Sequence, residues 1–298
     1  MNTDILTSLF SIYIFVLIGF IAKKRFKSQL DNRSFTLLSV YALQPILAFW
    51  GLSIQKLDFS ILFAPVLYLI AIFVTLFFTI IAGKILYLND EKKSAVVSSM
   101  SLIGNTGNIG IPIGIALFGV QSVPFTSMIN LANVFFIYTV GAYLLAKSEY
   151  NFREAIKSIA QIPILWVSIF AIFYNIYGFG INSEIEKSLE MGAKASIVIQ
   201  LIIFGIYLGD IKLKEFDWSV SISLSFFKLI FLPLIGSFII SIFIINEEIA
   251  KIIIMELLMP LAVNNVNMAV IYNSYPEKVA GAIVLSSILF VPIFIILY

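Results

Sequence analysis

The chain consists almost entirely of apolar runs separated by short polar connections. Each run has the roughly 20 residues that a helix needs to span the hydrocarbon core of a bilayer. Because hydrocarbon offers no partner to backbone N–H and C=O groups, only helices and closed barrels cross it. Hydrophobic residues make up 60% of the sequence and charged residues only 12%, unlike an ordinary soluble domain. We therefore expect an all-α integral membrane protein that has the lipid bilayer as a partner.

The apolar pattern predicts ten membrane-spanning helices. They are expected at 4–22, 34–54, 59–88, 94–118, 123–146, 159–180, 189–209, 217–245, 249–272 and 277–298. The odd-numbered connections carry most of the lysines and arginines, so the positive-inside rule places them in the cytoplasm and both termini outside. The sequence thus predicts a multi-pass protein of the plasma membrane.

The two halves of the chain correspond to each other. A shift of 157 residues superimposes loops, long spans and interrupted spans, and it places Asn108 on Asn265 without a gap. Each half contains an odd number of spans, so the second half would lie upside down relative to the first. Such inverted repeats are typical of secondary transporters. We interpret residues 1–147 and 148–298 as two structural repeats.

Two apolar stretches, Ser94 to Gly119 and Ile249 to Asn273, are interrupted by residues that disfavour a membrane helix. Such interruptions persist only where protein buries them or where they line a watery cavity. When they occur in matching places of two halves, they indicate a transporter's substrate site. The alternative is that glycine and proline merely kink packed helices. The predicted substrate-binding residues are Asn105, Thr106, Gly107, Asn108 and Pro112 in the first stretch and Pro260, Asn264, Asn265 and Asn267 in the second.

The prolines also predict free backbone groups at both interruptions. Pro112 has no N–H to donate to the carbonyl of Asn108, and Pro260 has none for the carbonyl of Glu256. Each interruption would then offer carbonyl oxygens to a cation. The half-helix that follows would offer N–H groups to an anion.

Two ionisable side chains, Lys228 and Glu256, lie deep within predicted spans. Inserting a charged side chain at the centre of a membrane helix costs about 2.5–3.5 kcal/mol, so each of them needs a partner or a cavity. They either neutralise one another as an ion pair, or Glu256 binds a coupling H⁺ or Na⁺. In the second case Lys228 attracts an anionic substrate or holds the charge of the empty site. Gln44, Asn130 and Asn133 are further candidates for substrate binding, with interhelical hydrogen bonding as the alternative.

The composition argues against several other functions. The chain has no histidine and no cysteine, and Glu256 has no second deep carboxylate beside it to form a catalytic dyad. We therefore expect no enzyme activity, no cofactor and no metal other than Na⁺ near Glu256. A net charge of +2 predicts no nucleic-acid partner. An anion channel is a weaker alternative because the other spans lack polar faces.

The two interrupted segments resemble the signature segments of the auxin efflux carrier family, the bacterial relatives of plant PIN carriers. The resemblance lies in the run from Asn105 to Pro112 and in the run from Met259 to Asn265, and it extends over the whole ten-span plan. Plant carriers have Asn-Pro at both crossings, whereas here Ile111 precedes Pro112 and Met259 precedes Pro260.

The resemblance implies the fold of the bile acid sodium symporters. Spans 1, 2, 6 and 7 would form a scaffold, and spans 3–5 and 8–10 a moving core in which the broken spans 4 and 9 cross. It also implies elevator-type alternating access, a homodimer through the scaffold, and organic anions such as malate, malonate or auxin-like carboxylates as substrates. Glu256 resembles in placement an acidic residue of the bile acid symporters, which leaves a Na⁺-coupled symporter as the alternative.

Overall fold

The computed structural model describes residues 2–53, 56–146, 153, 157, 160–211 and 216–298. Over these residues the protein is helical and has no β-strand beyond one isolated bridge. In chain order the helices are α1 (Asn2–Phe26), α2 (Arg33–Ser53), α3 (Phe59–Leu86), α4 (Glu91–Met100), α5 (Thr106–Phe118), α6 (Val120–Ala146), α7 (Pro163–Ile176), α8 (Ser183–Asp210), α9 (Trp218–Ile242), α10 (Glu247–Leu258), α11 (Asn264–Ile271) and α12 (Pro276–Leu297).

Six helices of the described part are long and apolar enough to cross a membrane: α2, α3, α6, α8, α9 and α12. The prediction of an all-α membrane protein is thereby confirmed. The helices α5 and α7 are apolar but shorter. The predicted boundary between the repeats, at residues 147 and 148, lies outside the described residues, as do the loop lysines Lys147, Lys212 and Lys214.

Acidic side chains fix the starts of several helices. Asp58 accepts a hydrogen bond from the N–H of Ile61 at the start of α3, and Asp90 accepts one from the N–H of Lys93 at the start of α4. An oxygen acceptor at this position satisfies one of the N–H groups that a helix start leaves unpaired. The short polar loops therefore determine where the apolar helices begin.

The helices pack in two groups. In one group α1 packs against α8, and α2 packs against both α7 and α8. In the other α3 packs against α4, α6 and α9, and α9 packs against α12. Contacts between the groups include those of α1 with α5 and of α2 with α6. A small apolar cluster between the groups contains Leu47, Trp50, Ile111, Val123 and Ala193.

The contact between α1 and α8 brings two helix backbones together. A methyl group on Gly19 would collide with the carbonyl oxygen of Ile202, and one on Gly205 would collide with the carbonyl oxygen of Val16. Small residues allow such close approach in membranes, where packing and not the hydrophobic effect joins helices. These two glycines therefore determine how closely α1 and α8 approach each other.

An ionic cluster lies where α4, α9 and α12 begin. The carboxylate of Asp217 lies 2.8 Å from Lys93 Nζ and 3.4 Å from Lys278 Nζ, and it accepts the N–H of Val220 at 3.2 Å. Asp217 and Lys93 lie outside the candidate membrane spans. Burial acts to raise the pKa of Asp217, but the bonds from Lys93 and Val220 outweigh it and hold this pKa below its ordinary value. The hydrogen bond to Asp217 raises the pKa of Lys93.

Candidate functional site

Both interrupted stretches are broken helices. The first runs from the end of α4 at Met100 to the start of α5 at Thr106, and the second from the end of α10 at Leu258 to the start of α11 at Asn264. We call residues 101–105 the first break and residues 259–263 the second break. Both breaks are buried, so their backbone groups need partners within the protein.

The two breaks pair with each other as a short antiparallel ladder. The N–H of Asn105 donates to the carbonyl of Pro260 at 2.8 Å, and the N–H of Ala262 donates to the carbonyl of Ile103 at 3.0 Å. Gly104 lies opposite Leu261 between these two bonds. Backbone from one helix thus satisfies the backbone freed in the other, which allows both breaks to persist in an apolar setting.

Side-chain amides support the first break. Asn133 Nδ2 donates to the Gly104 carbonyl at 2.9 Å and to Thr106 Oγ1 at 3.1 Å. Asn265 Nδ2, from α11, lies 3.2 Å from the Met100 carbonyl and 3.3 Å from the Ile103 carbonyl. These bonds connect α6 and α11 to the first break. Interhelical hydrogen bonding, one of the two alternatives for Asn133, is therefore present.

A hydroxyl supports the second break. Ser286 Oγ, on α12, accepts the N–H of Leu261 at 3.2 Å and donates to the carbonyl of Ile283 at 3.0 Å. Sequence reasoning did not select Ser286. A serine in a long apolar helix gives no sign that a break packs against it.

A pocket of about 410 Å³ opens beside the paired breaks. Eight of the predicted substrate-binding residues line it: Gln44, Asn105, Gly107, Asn108, Asn130, Asn133, Asn264 and Asn267. Asn267 Nδ2 donates to Asn264 Oδ1 at 3.2 Å, which orients these two amides relative to each other. The residues that line the pocket carry no charged side chain.

Four predicted residues lie elsewhere. Thr106 and Asn265 are fully buried in the hydrogen-bonded support of the first break. Pro112 and Pro260 are buried backbone elements outside the pocket wall. Thr106 and Asn265 therefore do not line the pocket. The Thr106 hydroxyl pairs with the side chains of Asn130 and Asn133. The Asn265 amide nitrogen lies within hydrogen-bond distance of two carbonyls at the first break.

Sequence reasoning missed much of the pocket wall. It includes the aromatic residues Tyr41, Tyr138 and Tyr207, the polar residues Thr36, Ser39 and Gln161, and apolar residues such as Val40, Ile137 and Ile203. These residues come from α2, α6, α8 and the residues before α7. Nothing in their local sequence distinguishes them from lipid-facing positions.

Widened helical turns surround the site. The turns at Ser39–Leu43, Thr106–Gly110 and Ile137–Gly141 each contain an extra residue and contribute residues to the pocket. A fourth such turn, Phe227–Phe231, holds Lys228. Widened turns of this kind are frequent at functional sites, where they redirect side chains. Here three of the four widened turns place residues in the wall of the pocket beside the breaks.

The two deep charges do not form an ion pair. Lys228 Nζ donates to the carbonyl of Leu257 at 2.7 Å. Neither carboxylate oxygen of Glu256 has a hydrogen-bond partner among the described residues, and neither side chain lines the pocket. The ion-pair alternative is therefore wrong in this state of the protein, and Lys228 is not placed to contact a substrate in this pocket.

The prediction of a free Glu256 carbonyl is also wrong. The N–H of Met259 donates to it at 3.3 Å, as in a tightened last helical turn. The Glu256 side chain instead packs against the first turns of α5, since a methyl group on Gly110 would collide with its carboxylate. The unpaired groups at this end of α10 are thus the carboxylate oxygens and not the backbone oxygen.

Comparison with known proteins identifies the family of the chain. The family model for membrane transport proteins matches residues 4–162 and 152–298, which together cover nearly the whole chain. An uncharacterized transporter of Methanocaldococcus jannaschii is 25% identical over 226 residues, covering 74% of this chain and 73% of that protein. The chain belongs to the membrane transport protein family, the auxin efflux carrier family that its interrupted segments resemble.

Proposed function

We propose that the protein is a secondary transporter of a small organic anion and works by alternating access around the paired breaks. The observation that carries this proposal is the position of the amide-lined pocket, directly beside two broken helices that hydrogen-bond to each other. Substrate sites of secondary transporters lie where discontinuous helices meet. Membership of a membrane transport family supports the same class of function.

The pocket lining favours a substrate with one carboxylate. Carboxamide N–H groups of Asn105, Asn108, Asn264 and Asn267 can donate to a carboxylate, and apolar and aromatic side chains form the rest of the wall. No lysine or arginine of the described residues lines the pocket, so a second buried carboxylate would lack a countercharge. Among the expected substrates, an auxin-like monocarboxylate therefore fits this lining better than malate or malonate.

The pairing of the breaks supports the inverted repeat. The same shift of 157 residues that aligns the halves carries Gly104 onto Leu261, the two residues that lie opposite each other. It also carries Asn105 onto Ala262 and Ile103 onto Pro260, and the two backbone bonds exchange under this shift. A local two-fold axis between the breaks would produce this reciprocity. We place the first repeat at 1–147 and the second at 148–298.

The contacts of Glu256 favour a proton over Na⁺ as the coupling ion. A buried carboxylate without a donor is costly unless it holds a proton or a cation. A metal ion would need further oxygen ligands, but the nearby carbonyls of Glu256 and Leu257 already accept bonds from Met259 and Lys228. Because the carboxylate packs against Gly110 in α5, its protonation would act on the helix that borders the pocket.

The two groups of helices support an elevator-type motion. We assign α1, α2, α7 and α8 to a scaffold and the remaining helices to a core that carries the pocket residues of both breaks across the membrane. The protein would act in the plasma membrane with both termini outside, as a homodimer through its scaffold. A Na⁺-coupled symporter is the second candidate, which the experiment below separates by its ion gradients.

The test is uptake into proteoliposomes. Labelled malate, malonate and indole acetate would be supplied under an imposed pH gradient or an imposed Na⁺ gradient. We expect uptake of a carboxylate driven by the pH gradient, and we expect Glu256→Gln to reduce it to the level of protein-free liposomes. Exchange of internal for external substrate should persist, because the pocket residues are unchanged.

Glu247→Gln is the matched control, since Glu247 lies on the same helix but is exposed and paired with Lys251. It should transport like the parent. Undiminished gradient-driven uptake by Glu256→Gln would remove Glu256 from the mechanism. Failure of every carboxylate to enter under either gradient would contradict the proposed substrate class.

A further inference from the structure

Lys228 is a fully buried lysine at the carbonyl end of a broken helix. It lies in the widened turn of α9, and its ammonium group donates to the carbonyl of Leu257 at 2.7 Å. Leu257 is the last residue but one of α10. The final carbonyls of a helix have no partner within the helix, and they carry the partial negative charge of its dipole.

The same ammonium group also touches the first break. A methyl group on Gly104 would lie 2.7 Å from Lys228 Nζ and 2.8 Å from its Cε atom. Lys228 thus contacts the end of α10 through a hydrogen bond and the first break through close packing. No carboxylate of the described residues lies within ion-pair distance of it, because Glu256 packs instead against Gly110.

We infer that Lys228 is the resident cation of the crossing. Its ammonium group, held covalently, performs the task that a bound metal ion would otherwise perform at the carbonyl end of α10. The paired breaks then keep their geometry without Na⁺ at this position. Lys228 is a positioning residue: it does not line the pocket, and it acts through the Leu257 carbonyl and the Gly104 backbone.

This inference rests on the proposed function only in taking the paired breaks as the transport site. The main alternative is that the lysine side chain merely fills space between α9, α10 and the first break. The two differ in what can replace the side chain. A resident cation can be replaced by a soluble ammonium ion, whereas a space-filling group can be replaced by a neutral chain of similar length.

The experiment is a thermal unfolding series on the purified full chain in nanodiscs. Lys228→Ala removes the atoms of an n-propylammonium ion, and Lys228→Met keeps a neutral chain of similar length. We expect both variants to melt below the parent. Added n-propylammonium should raise the melting temperature of Lys228→Ala in a saturable way and leave the melting temperatures of Lys228→Met and the parent unchanged. Tetramethylammonium, which cannot donate a hydrogen bond, should not raise the melting temperature of Lys228→Ala.

Lys251→Ala is the control, since Lys251 is a surface lysine on α10 paired with Glu247. It should show no response to n-propylammonium. A Lys228→Met variant as stable as the parent, or a Lys228→Ala variant that n-propylammonium does not restore, would overturn the inference.

A second pair of variants tests the contact between Lys228 and Gly104. Gly104→Ala places a methyl group on the ammonium in the parent, so it should lower the melting temperature there. In the Lys228→Ala background, Gly104→Ala should lower the melting temperature much less, because the Nζ and Cε atoms of Lys228 that the methyl group would meet are absent. Equal losses in both backgrounds would show that the two residues are not coupled and would overturn the inference. All of these measurements are melting temperatures, so their outcome does not depend on whether the uptake assay detects transport.

Discussion

At the scale of single residues, Asn133 lies at the centre of a hydrogen-bond network in which both polar atoms of its side chain have partners. Its Nδ2 atom donates to Gly104 and Thr106, and its Oδ1 atom accepts a bond from the hydroxyl of Tyr68 at 3.2 Å. Thr106 Oγ1 donates in turn to Asn130 Oδ1 at 2.9 Å. Since both ends of the Asn133 amide have partners, its orientation is fixed. The first break is therefore held from α3 and α6 together.

Tyr68→Phe tests this network at its outer end. The substitution removes one hydroxyl from a fully buried ring and leaves the ring packing unchanged. We expect the free energy of unfolding to fall by about 1 kcal/mol, the net worth of one buried hydrogen bond. Thermal unfolding of the purified protein measures it.

Tyr13→Phe is the matched control, because the Tyr13 hydroxyl is buried without a partner among the described residues. Removing an unpaired hydroxyl should leave stability unchanged or increase it. Equal losses for both tyrosines would mean that the Tyr68 hydroxyl contributes no specific bond.

The limits of sequence reasoning are clear at this scale. Carboxamides in an interrupted membrane span can be recognised from sequence, because hydrocarbon excludes them unless they have partners. Whether a given carboxamide faces a cavity or holds the backbone depends on residues far away in the chain. Asn108 lines the pocket and its counterpart Asn265 is buried against the first break, although the two occupy equivalent positions in the sequence.

At the scale of helices, Asp217 connects three helix starts through one carboxylate. Because the folded protein holds its pKa below the ordinary value, its charge stabilises the fold at neutral pH. That contribution is present above the ordinary pKa of about 3.9 and is lost as the pH falls through the folded-state value. The raised pKa of Lys93 acts in the opposite direction: its contribution is present at neutral pH and is lost only in strong alkali.

Asp217→Asn should therefore destabilise the protein at pH 7 and destabilise it less at pH 3. Asparagine is a good helix cap, so the loss at pH 7 reports the two lysine contacts and not the cap. Melting temperatures of parent and variant at both pH values measure it. A difference between parent and Asp217→Asn that is the same at both pH values would refute the ionic role.

Helix positions could be predicted well from sequence, because apolar length and acidic caps are local signals. The four widened turns could not, since an extra residue in a helical turn leaves no mark in hydrophobic periodicity. These turns direct side chains of α2 and α6 into the pocket, which explains why Tyr41 and Tyr138 were missed.

At the scale of the whole molecule, the proposed motion predicts which cross-links stop transport. The chain has no cysteine, so introduced pairs are the only thiols. A Cβ atom on Gly51 would lie 3.4 Å from the Cβ of Val123, which joins α2 to α6. A Cβ atom on Gly192 would lie 3.8 Å from the Cβ of Ile46, which joins α8 to α2. Both separations are close to the roughly 3.8 Å of natural disulfides.

The pair Gly51→Cys with Val123→Cys crosses from scaffold to core, so oxidation should abolish uptake and a reductant should restore it. The pair Gly192→Cys with Ile46→Cys lies within the scaffold, and its oxidation should leave uptake unchanged. Mass spectrometry would verify each disulfide. Full transport by the oxidised 51–123 pair would contradict a motion of α6 relative to α2.

The class of protein could be predicted from sequence, because composition alone excludes a soluble fold and the two matching interruptions are unusual in membrane helices. The way distant helices build the pocket could not. Gln44, Asn108 and Tyr207 belong to α2, α5 and α8 and line one cavity, and only the packing of the chain brings them together.

The ladder between the breaks is made of main-chain atoms alone, and this has a consequence for how such carriers diversify. A peptide N–H or carbonyl is the same whichever side chain is attached, so the joint between the two halves survives most mutations at Asn105, Ala262 or Ile103. Selection can then exchange the side chains that line the pocket while the backbone pairing stays intact. One architecture can in this way acquire new substrates while the pairing of the two breaks is kept.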